Sequence, residues 1–231
     1  MNKTEKEPPH TYTSVAESVF QVERSAWNNC ANFIDDNRNI GNPFLSHEFF
    51  SCLEESGSVS KETGWISQHI LLFEKGNSLI GILPNYLKNH SWGEYIFDQV
   101  FANAWENAGG KYYPKLLSAI PFSPVAGERF LIKKGYSRKF VIEKLLDALE
   151  DLKKFYKVSS AHINFINEQQ LKIALKNKFW FERNNIQFHW SNQDYENFEH
   201  FLSKLSSSKR KTIRRERKEI HKSSVLIDIK K

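Results

Sequence analysis

The spacing of apolar residues predicts one long helix and one hairpin. From 138 to 156 apolar side chains recur every three or four residues, the period of one helix face, at Val141, Leu145, Leu149, Leu152 and Tyr156. The runs 68–74 and 79–87 are also rich in apolar residues, and Lys75-Gly76-Asn77 between them favours a tight turn. We therefore predict an antiparallel hairpin whose two arms are buried in a central sheet.

Weaker patterns cover the rest of the chain. Strands are predicted at 13–22, 115–120, 161–166, 186–191 and 225–229. Helices are predicted at 168–176, at 207–220 and after the capping residues Ser46 and Asp194, and Gly57 is expected to end the helix that Ser46 begins. This order of strands and helices indicates a mixed α/β or α+β fold.

The segment 90–129 keeps neither the three-to-four-residue period of a helix nor the alternation of a strand for long. It combines acids, glycines and three prolines with eight aromatic residues: Trp92, Tyr95, Phe97, Phe101, Trp105, Tyr112, Tyr113 and Phe122. Such a mixture is typical of an irregular surface that a scaffold holds in place for binding. Residues 91–113 within it are predicted to form a helix and a loop.

Several pieces of the chain resemble signature segments of the Fem-like family of bacterial proteins. They are NPFLSHEFFSCLEESGSV, GWISQHILLFEKGNSLIGILPNYLK, HSWGEYIFD, YYPKLL, PFSPVAG, FERNNIQFHW and SSKRKTIRRERKEI, in the family's order over most of residues 42–220. The resemblance implies a GNAT-like mixed sheet flanked by helices. It also implies acyl or aminoacyl transfer onto an amine, in cell-wall precursor metabolism.

The chain departs from the family pattern in two places. Phe101-Ala102-Asn103 stands where the family's Trp-Ala-Asp is expected, which removes a carboxylate. The sequence also stops at Lys231, where the resemblance implies a further acyltransferase-like half. We therefore expect a disordered N-terminus at 1–12, a GNAT-like domain at 13–191 and a helical segment at 192–231 that opens an incomplete second half. This truncation leaves open both an inactive chain and a partner chain that completes the fold.

A transferase of this type needs a base for the attacking amine and donors for the developing oxyanion. The available titratable groups are Glu94, Asp98, Glu106 and His189. Asp98 is our first choice as the catalytic residue, because partial burial among aromatic neighbours would raise the pKa of its carboxyl group. We expect it in a concave site with Tyr112 or Tyr113, and we expect Asp98→Asn to abolish transfer without changing the thermal midpoint. A surface carboxylate without a chemical role is the alternative.

The same segment supplies the candidate substrate-binding residues Tyr95, Trp105, Tyr112, Tyr113 and Lys115. Aromatic faces stack on sugar rings, and a lysine can meet an anionic group, so an amino sugar or a peptide stem would fit there. The alternative is that the tyrosines close the edge of the core with their hydroxyl groups toward solvent. Since two adjacent residues of a strand point in opposite directions, the sequence does not decide between these interpretations.

The helix predicted at 207–220 is strongly basic. Residues 209–218 hold seven basic residues and one acid, which accounts for the whole net charge of +6. Lys209, Arg210, Arg214 and Arg215 are the candidate phosphate-binding residues, because arginine matches phosphate oxygens bidentately. The resemblance implies a nucleotide-linked or tRNA-linked substrate, which would suit this helix. The alternatives are a solvated charged helix, and a non-catalytic protein that recognises anionic glycan or nucleic acid through 207–221; the absence of a stacking motif disfavours nucleic acid.

No cofactor motif identifies the donor. The acyl-CoA turn Gln/Arg-x-x-Gly-x-Gly/Ala, the G-x-x-x-x-G-K and G-x-G-x-x-G loops and paired Cys/His spacings are all missing from the sequence, so no metal site is predicted. Acyl-CoA or aminoacyl-tRNA is implied by the resemblance alone.

Composition indicates a soluble globular protein, with 40% apolar and 26% charged residues. We expect a cytoplasmic location, because no signal peptide is evident and no apolar run approaches the ~18 residues of a membrane span. Cys30 and Cys52 are expected to be buried, reduced thiols.

Overall fold

The described residues of the chain fall into two units. In this computed structural model they are residues 5–33, 41–223 and 225–226. The first unit ends at Glu182 and the second begins at Arg183. The first unit holds two four-stranded sheets flanked by helices, so the predicted mixed α/β class is confirmed. Among the helices of these described ranges, none has the length and apolar character that crossing a bilayer requires.

The first sheet is built around the predicted hairpin. Its strands run antiparallel in the order β1 (Thr11–Ala16), β3 (His69–Glu74), β4 (Ser78–Leu83) and β7 (Leu131–Ile132). At the turn, Gly76 and Asn77 have φ angles of 89° and 63°. Glycine and asparagine adopt these left-handed values more easily than other residues do. The hairpin prediction is confirmed, and its arms are the two central strands of the sheet.

The second sheet continues from the same two chain segments. Its strands lie in the order β2 (Trp65–Ser67), β5 (Tyr86–Lys88), β6 (Lys115–Ser118) and β8 (Ala161–Ile163), with only the β6–β8 pair parallel. One residue, Gln68, separates β2 from β3, and Pro84 and Asn85 separate β4 from β5. Pro84 has no N–H to donate to a neighbouring strand, which explains the interruption. The amide of Gln68 donates to the carbonyl of Asn85 (2.8 Å), so the two segments stay paired across the break.

Helices cover both faces of the first sheet. The predicted long helix is confirmed as α4 (Arg138–Tyr156). It packs on one face in a core cluster that includes Ile70, Leu72, Ile80, Leu145 and Leu149. Leu71 and Ile82 point to the opposite face and join a second cluster with residues of α1 (Arg24–Cys30) and α2 (His47–Glu55). The alternation of side chains along β3 and β4 therefore produces two cores, one on each side of the sheet.

Gly81 in β4 allows α4 to approach the sheet closely. A Cβ atom added there would lie 2.5 Å from Cγ1 of Val141. We expect Gly81→Ala to lower the free energy of unfolding in urea by about 1–3 kcal/mol through overpacking. The double variant Gly81→Ala/Val141→Ala should lose less than the sum of the single variants, because the smaller side chain makes room.

The matched control for this prediction is Gly127→Ala. There the nearest atom to an added Cβ lies 3.5 Å away, an ordinary contact distance. Equal losses in Gly81→Ala and Gly127→Ala would show that crowding against Val141 has no effect.

Helix α2 begins and ends as predicted, but one cysteine that it carries is exposed, where a buried thiol was predicted. The side chain of Ser46 accepts a hydrogen bond from the amide of Phe49, and Gly57 follows the helix end with a φ of 72°. Cys30 is buried, but Cys52 is exposed, so the prediction of two buried thiols is wrong for Cys52. On α2 the apolar face is turned inward, and position 52 lies outside that face.

The remaining helices of the first unit are α3 (Gln99–Asn107), inside the predicted helix-and-loop segment, and α5 (Glu168–Ala174).

The predicted strand at 13–22 stops at Ala16. A short 3-10 turn (Val19–Gln21) follows, because the side chain of Ser18 accepts a hydrogen bond from the amide of Phe20. The N-terminal prediction also needs correction: residues 1–4 lie outside the described residues, but the amide of Lys6 donates to Gly135 (2.8 Å), and β1 begins at Thr11.

The second unit is helical, with α6 (Phe198–Ser203) and α7 (Ser207–Lys222). The predicted strand at 186–191 is wrong: this stretch forms no strand, and Phe188 within it is 96% exposed. The capping prediction for Asp194 is also wrong, because Asn197 caps α6 by accepting from the amide of His200. Of the strand predicted at 225–229, residues 227–229 lie outside the described residues, and Val225 and Leu226 are not in a strand.

Candidate functional site

Two buried lysines lie side by side on one face of the second sheet. Lys88 of β5 and Lys115 of β6 are opposite each other in antiparallel register, and Trp65 of β2 is opposite Lys88 on its other side. Directly opposed residues of antiparallel strands point to the same face. All three side chains are buried. The sheet thus presents a row of one tryptophan and two lysines beneath whatever covers this face.

The segment between β5 and α3 covers the row and supplies two carboxylates. Nζ of Lys115 lies 2.7 Å from Oε2 of Glu94 and 2.5 Å from Oδ2 of Asp98. Both acids are buried, with Asp98 only 2% exposed. Lys115 also donates to Oγ of Ser91 at 2.9 Å. The buried ammonium group of Lys115 is thus surrounded by two acids and a hydroxyl, which offset the cost of burying its charge.

Two tyrosines extend this network, and one of them, Tyr113, reaches the surface. The hydroxyl groups of Ser91 and Tyr113 lie 2.8 Å apart, and Ser91 donates to Asp98 at 3.3 Å. Tyr112 is buried and hydrogen-bonds Asp98, and its ring meets that of Tyr113 edge-on with the centroids 4.9 Å apart. Tyr113 is partly exposed. A hydrogen-bonded path therefore leads from solvent at Tyr113 through Ser91 to Asp98.

Burial shifts the pKa values of three groups of this cluster, Lys88, Glu94 and Tyr112. It lowers the pKa of the Lys88 ammonium group to about 7, although the charge of Glu94 opposes the shift. It raises the pKa of Glu94, while Lys115 lowers it in part. It also raises the pKa of Tyr112, and the charge of Asp98 adds to that shift. An amine that loses its proton near neutral pH thus lies beside an acid that gains one more readily than usual.

The lowered pKa of Lys88 predicts a pH dependence of stability. Between about pH 7 and the ordinary value of 10.5, the unfolded chain binds a proton that folded Lys88 has released. Stability therefore rises with pH in this window, by up to about 1.4 kcal/mol per pH unit. We expect the free energy of unfolding of the parent, minus that of Lys88→Met, to increase between pH 7 and pH 9 in urea titrations.

The exposed Lys139 supplies the control for this measurement. The difference between the parent and Lys139→Met should stay flat over the same pH range. A difference for Lys88→Met that is flat or falls would rule out the assigned protonation of Lys88.

A cavity of about 480 Å³ lies beside this cluster. It is lined by Ser58, Glu62, Thr63, Trp65, His90, Trp92 and Phe122. Nζ of Lys88 lies 3.6 Å from the centre of the Trp65 ring, so the indole separates the lysine from the cavity. Gly93 permits this arrangement, because a Cβ there would lie 2.6 Å from the Phe122 ring and its φ of 79° disfavours other residues.

A second cavity, of about 630 Å³, has a carboxylate in its wall. Its lining includes Glu54, Ser67, Gln68 and Tyr156. Burial would raise the pKa of Glu54, but His69 at 3.6 Å and hydrogen bonds from Ser18, Ser67 and the amide of Val19 outweigh it and lower the pKa to about 2. Because Glu54 is already engaged as an acceptor, this wall suits a structural role.

The structure brings together some of the predicted site residues. Asp98, Tyr112, Tyr113 and Lys115 form one network, whereas Tyr95 and Trp105 are exposed on the neighbouring surface. Lys115 was predicted to bind an anionic group of the substrate, but in the structure it pairs with Glu94 and Asp98 of the chain itself. None of the six lines either cavity described above.

The prediction that Asp98→Asn leaves the thermal midpoint unchanged needs correction. Asp98 is fully buried and paired with Lys115, so its removal leaves the lysine short of a partner and must destabilise the fold.

The candidate phosphate-binding residues lie on α7, which contains no buried residue. Arg214 pairs with Glu199 of α6 at 2.5 Å, and Arg210 donates to the carbonyl of Ser203. The guanidinium of Arg217 lies 4.3 Å from the centre of the Phe198 ring. The exposed basic helix is therefore held against α6 by its arginines.

Sequence reasoning missed Lys88 and Ser91. A signal for Lys88 exists: it stands two residues after Tyr86 in a strand, which puts it on the same inward face. Ser91 carries no comparable signal, because its partners come from distant parts of the chain. In the described residues no group of three or more His, Cys, Asp or Glu side chains could hold a metal ion.

These features define a two-sheet α/β protein with a buried charged network and an adjoining aromatic cavity. A family model matches residues 18–231, that of the FemAB-like family, described as peptidoglycan biosynthesis/recognition. The chain belongs to the FemAB-like family, and the predicted resemblance is confirmed.

Comparison with solved structures gives low similarity. Each of three acetyltransferases covers 79% of this chain. They are aminoglycoside 6'-N-acetyltransferases AAC(6')-Ih from Acinetobacter baumannii (10% identity, TM-score 0.40, 99% of that chain covered) and AAC(6')-IG from Acinetobacter haemolyticus (13%, 0.42, 98%), and an acetyltransferase from Trypanosoma brucei (11%, 0.40, 100%). Similarity at this level transfers no reaction. A search of curated proteins gave no match.

Proposed function

We propose that this chain is a Fem-type acyl- or aminoacyltransferase that acts on an amine acceptor in cell-wall precursor metabolism. Membership of a family described by peptidoglycan biosynthesis or recognition supports the cell-wall context. The observation that carries the proposal is the path from the hydroxyl of Tyr113, a partly exposed residue, through Ser91 to the carboxylate of Asp98. Such a path can remove a proton from an amine that binds at the surface.

The proton transfers along this path are balanced. The attacking ammonium gives its proton to the oxygen of Tyr113 as Tyr113 passes its own proton to Ser91, and Ser91 passes a proton to Asp98. The free amine then attacks the acyl carbon of the donor, and the bond from that carbon to the sulfur of CoA, or to the ribose oxygen of tRNA, breaks as the amide forms. The second amine proton goes to the departing sulfur or oxygen, and Asp98 returns its proton to solvent along the same path. Lys115 and Glu94 fix the position of Asp98, and preorganisation of this kind keeps the reorganisation cost low.

The aromatic residues around this path form the proposed acceptor surface. Tyr112 and Tyr113 lie beside Asp98 and form this surface, whereas Tyr95 and Trp105 present their exposed rings outside it, on the neighbouring surface of the segment that covers the sheet. Aromatic faces of this kind bind sugar rings or a peptide stem through their apolar area. Lys115 contributes by positioning Asp98.

Phosphate groups of a nucleotide-linked or tRNA-linked substrate are assigned to α7. Its residues Lys209, Arg210, Arg214 and Arg215 are solvent-accessible cations on one helix. Arg214 must exchange Glu199 for a phosphate, which an exposed ion pair permits at small cost. The second candidate function, anion recognition without catalysis, is favoured by the same observation, that α7 buries none of its residues.

Anion binding by α7 gives a salt-dependent prediction. The variant with glutamine at Lys209, Arg210, Arg214 and Arg215 should bind heparin more weakly, and the slope of log affinity against log salt should fall by about 3–4. Isothermal titration at several salt concentrations measures both. The fold should persist, because the lost contacts to α6 are exposed and contribute about 0.2–1 kcal/mol each.

The matched control removes the same number of charges from α4, at Lys139, Lys144, Lys153 and Lys154. It should bind heparin as the parent does. If both quadruple variants weaken binding equally, α7 is only part of a diffuse positive surface.

Transfer itself is tested with the purified protein and an amine-bearing cell-wall precursor. Acyl-CoA and aminoacyl-tRNA are supplied in separate reactions, and the modified acceptor is detected by mass spectrometry. Product formed with either donor supports the transferase. Tight acceptor or heparin binding with no product from either donor would favour the binding protein instead.

A further inference from the structure

The segment that covers the charged network has its polarity inverted. Its two acids, Glu94 and Asp98, are buried against Lys115. Its large apolar side chains point outward, with Trp92 80% and Phe97 84% exposed. A soluble surface segment normally does the opposite, because exposed apolar area is unfavourable in water.

The exposed apolar residues form a helical stripe. Val100, Phe101, Ala104 and Trp105 are spaced as one face of α3, and Phe97 precedes Asp98, the residue directly before the helix. All five are exposed, while Ala102 on the other side of α3 is buried. A large aromatic side chain offers roughly 150–250 Å². With Trp92 and Tyr95 beside it, this aromatic face reaches the size at which an exposed apolar patch indicates an interaction site.

The aromatic face is attached to the sheet at its start, and local contacts close the helix at its end. The Lys115 ion pairs fix residues 94 and 98 at its start. At its end the amide of Gly110 donates to the carbonyl of Trp105 (3.0 Å), and a Cβ at Gly110 would lie 2.3 Å from Nε1 of Trp105, so the indole covers this glycine. The rings are therefore presented by an anchored helix.

The polar groups near the aromatic face favour a lipid surface over a protein partner. The side-chain amide of Gln99 donates to Oδ1 of Asn103 at 2.7 Å, so these two exposed side chains satisfy part of each other's hydrogen-bonding capacity. A protein interface of ordinary size needs about one hydrogen bond per 100–200 Å² and a polar rim. A bilayer needs neither, and it accepts protruding tryptophan, tyrosine and phenylalanine rings without a matching groove.

The distribution of charges in this segment is also compatible with a bilayer. The stripe contains no charged residue. The two carboxylates that would be repelled by anionic headgroups, Glu94 and Asp98, are withdrawn from the surface and paired with Lys115. The nearest exposed charges in the sequence, Glu106 and Lys111, have opposite signs. Contact with the interfacial region of a membrane therefore leaves no unpaired charge of this segment in an apolar medium.

We propose that the aromatic face formed by Phe97, Val100, Phe101 and Trp105, with Trp92 and Tyr95 beside it, docks onto the interfacial region of a phospholipid bilayer. The rings enter the boundary between headgroups and acyl chains, and the helix axis lies along the membrane plane. Apolar burial drives the contact, so it depends little on ionic strength.

Co-sedimentation with vesicles of pure phosphatidylcholine tests this proposal. These vesicles carry no net charge, so binding by the basic helix α7 does not contribute. The full-length protein should sediment with them equally at low and high salt. The triple variant Phe97→Ser/Phe101→Ser/Trp105→Ser should lose affinity by at least about tenfold, because each buried ring contributes to partitioning.

The control variant removes three exposed rings elsewhere, Phe155→Ser/Phe179→Ser/Phe181→Ser, and should bind as the parent does. Phe97→Ser alone is the second test variant if the triple variant does not fold, and it should bind vesicles more weakly than the parent. A parent protein that does not sediment with the vesicles, or a test variant that binds as the parent does, overturns the proposal. So does a patch-dependent dimer in analytical ultracentrifugation without vesicle binding, which would assign the face to a second copy of the chain. Transferase activity in solution is measured separately and has no bearing on this result.

Discussion

Lys115→Met should lower the free energy of unfolding by about 3–5 kcal/mol, the cost of leaving buried charges without their partner. Lys115 is fully buried and holds Glu94 and Asp98 at hydrogen-bond distance, so methionine leaves two carboxylates together in the interior. Each carboxylate then has to take up a proton or draw water into the core. Urea denaturation at pH 7 measures the loss.

A neutral version of the same network separates charge from packing. In the variant Lys115→Met/Glu94→Gln/Asp98→Asn no carboxylate is stranded, so a large part of the lost stability should return. Lys154→Met serves as the matched control, because this lysine pairs with Asp151 on the surface of α4 and should contribute about 0–1 kcal/mol. A loss for Lys115→Met no larger than that of the control would show that the buried network does not hold the segment on the sheet.

Tyr113→Phe should reduce transfer by about 10²–10⁴-fold, the usual contribution of general acid–base catalysis. The substitution removes the hydroxyl that begins the proton path and leaves the ion pair of Asp98 with Lys115 intact. The rate is measured at saturating acceptor with the donor that supports turnover. Stability should change little, because Tyr113 is only partly buried and the substitution removes its hydrogen bond to Ser91.

Asp98→Asn should reduce the rate by a similar factor but should also lower the thermal midpoint. The comparison of these two variants separates proton transfer from folding. Asp151→Asn, on the exposed face of α4, is the control and should change neither quantity. A Tyr113→Phe variant with the parent's rate would remove Tyr113 and Ser91 from the proposed path.

The sequence predicted those elements whose pattern is local. The stripe of α4 is apolar at every third or fourth position over nineteen residues, and the hairpin carries its own turn chemistry, so neither depends on distant residues for its assignment. The stretch 186–191 alternates apolar and polar residues as a strand does, but it forms no strand. A strand needs a partner, and alternation along one segment does not supply one.

The candidate site was predictable only in part for the same reason. The aromatic segment and Asp98 stand out in the sequence by composition. The network, however, depends on the register that puts Lys88 opposite Lys115 and on a covering loop that brings Ser91 to Tyr113. These are pairings between residues 22 to 27 apart, and no periodicity records them. Burial of Lys115 against the chain's own acids was therefore outside what the pattern could reveal.

The two sheets share two chain segments, and this sharing affects how the first unit unfolds. The chain segments 65–74 and 78–88 supply the central pair of the first sheet and then two neighbouring strands of the second. Neither sheet can lose these segments while the other keeps them, because Gln68 and Asn85 tie the two halves together. The shared segments of the two sheets are therefore expected to unfold together, in one cooperative event that includes both cores.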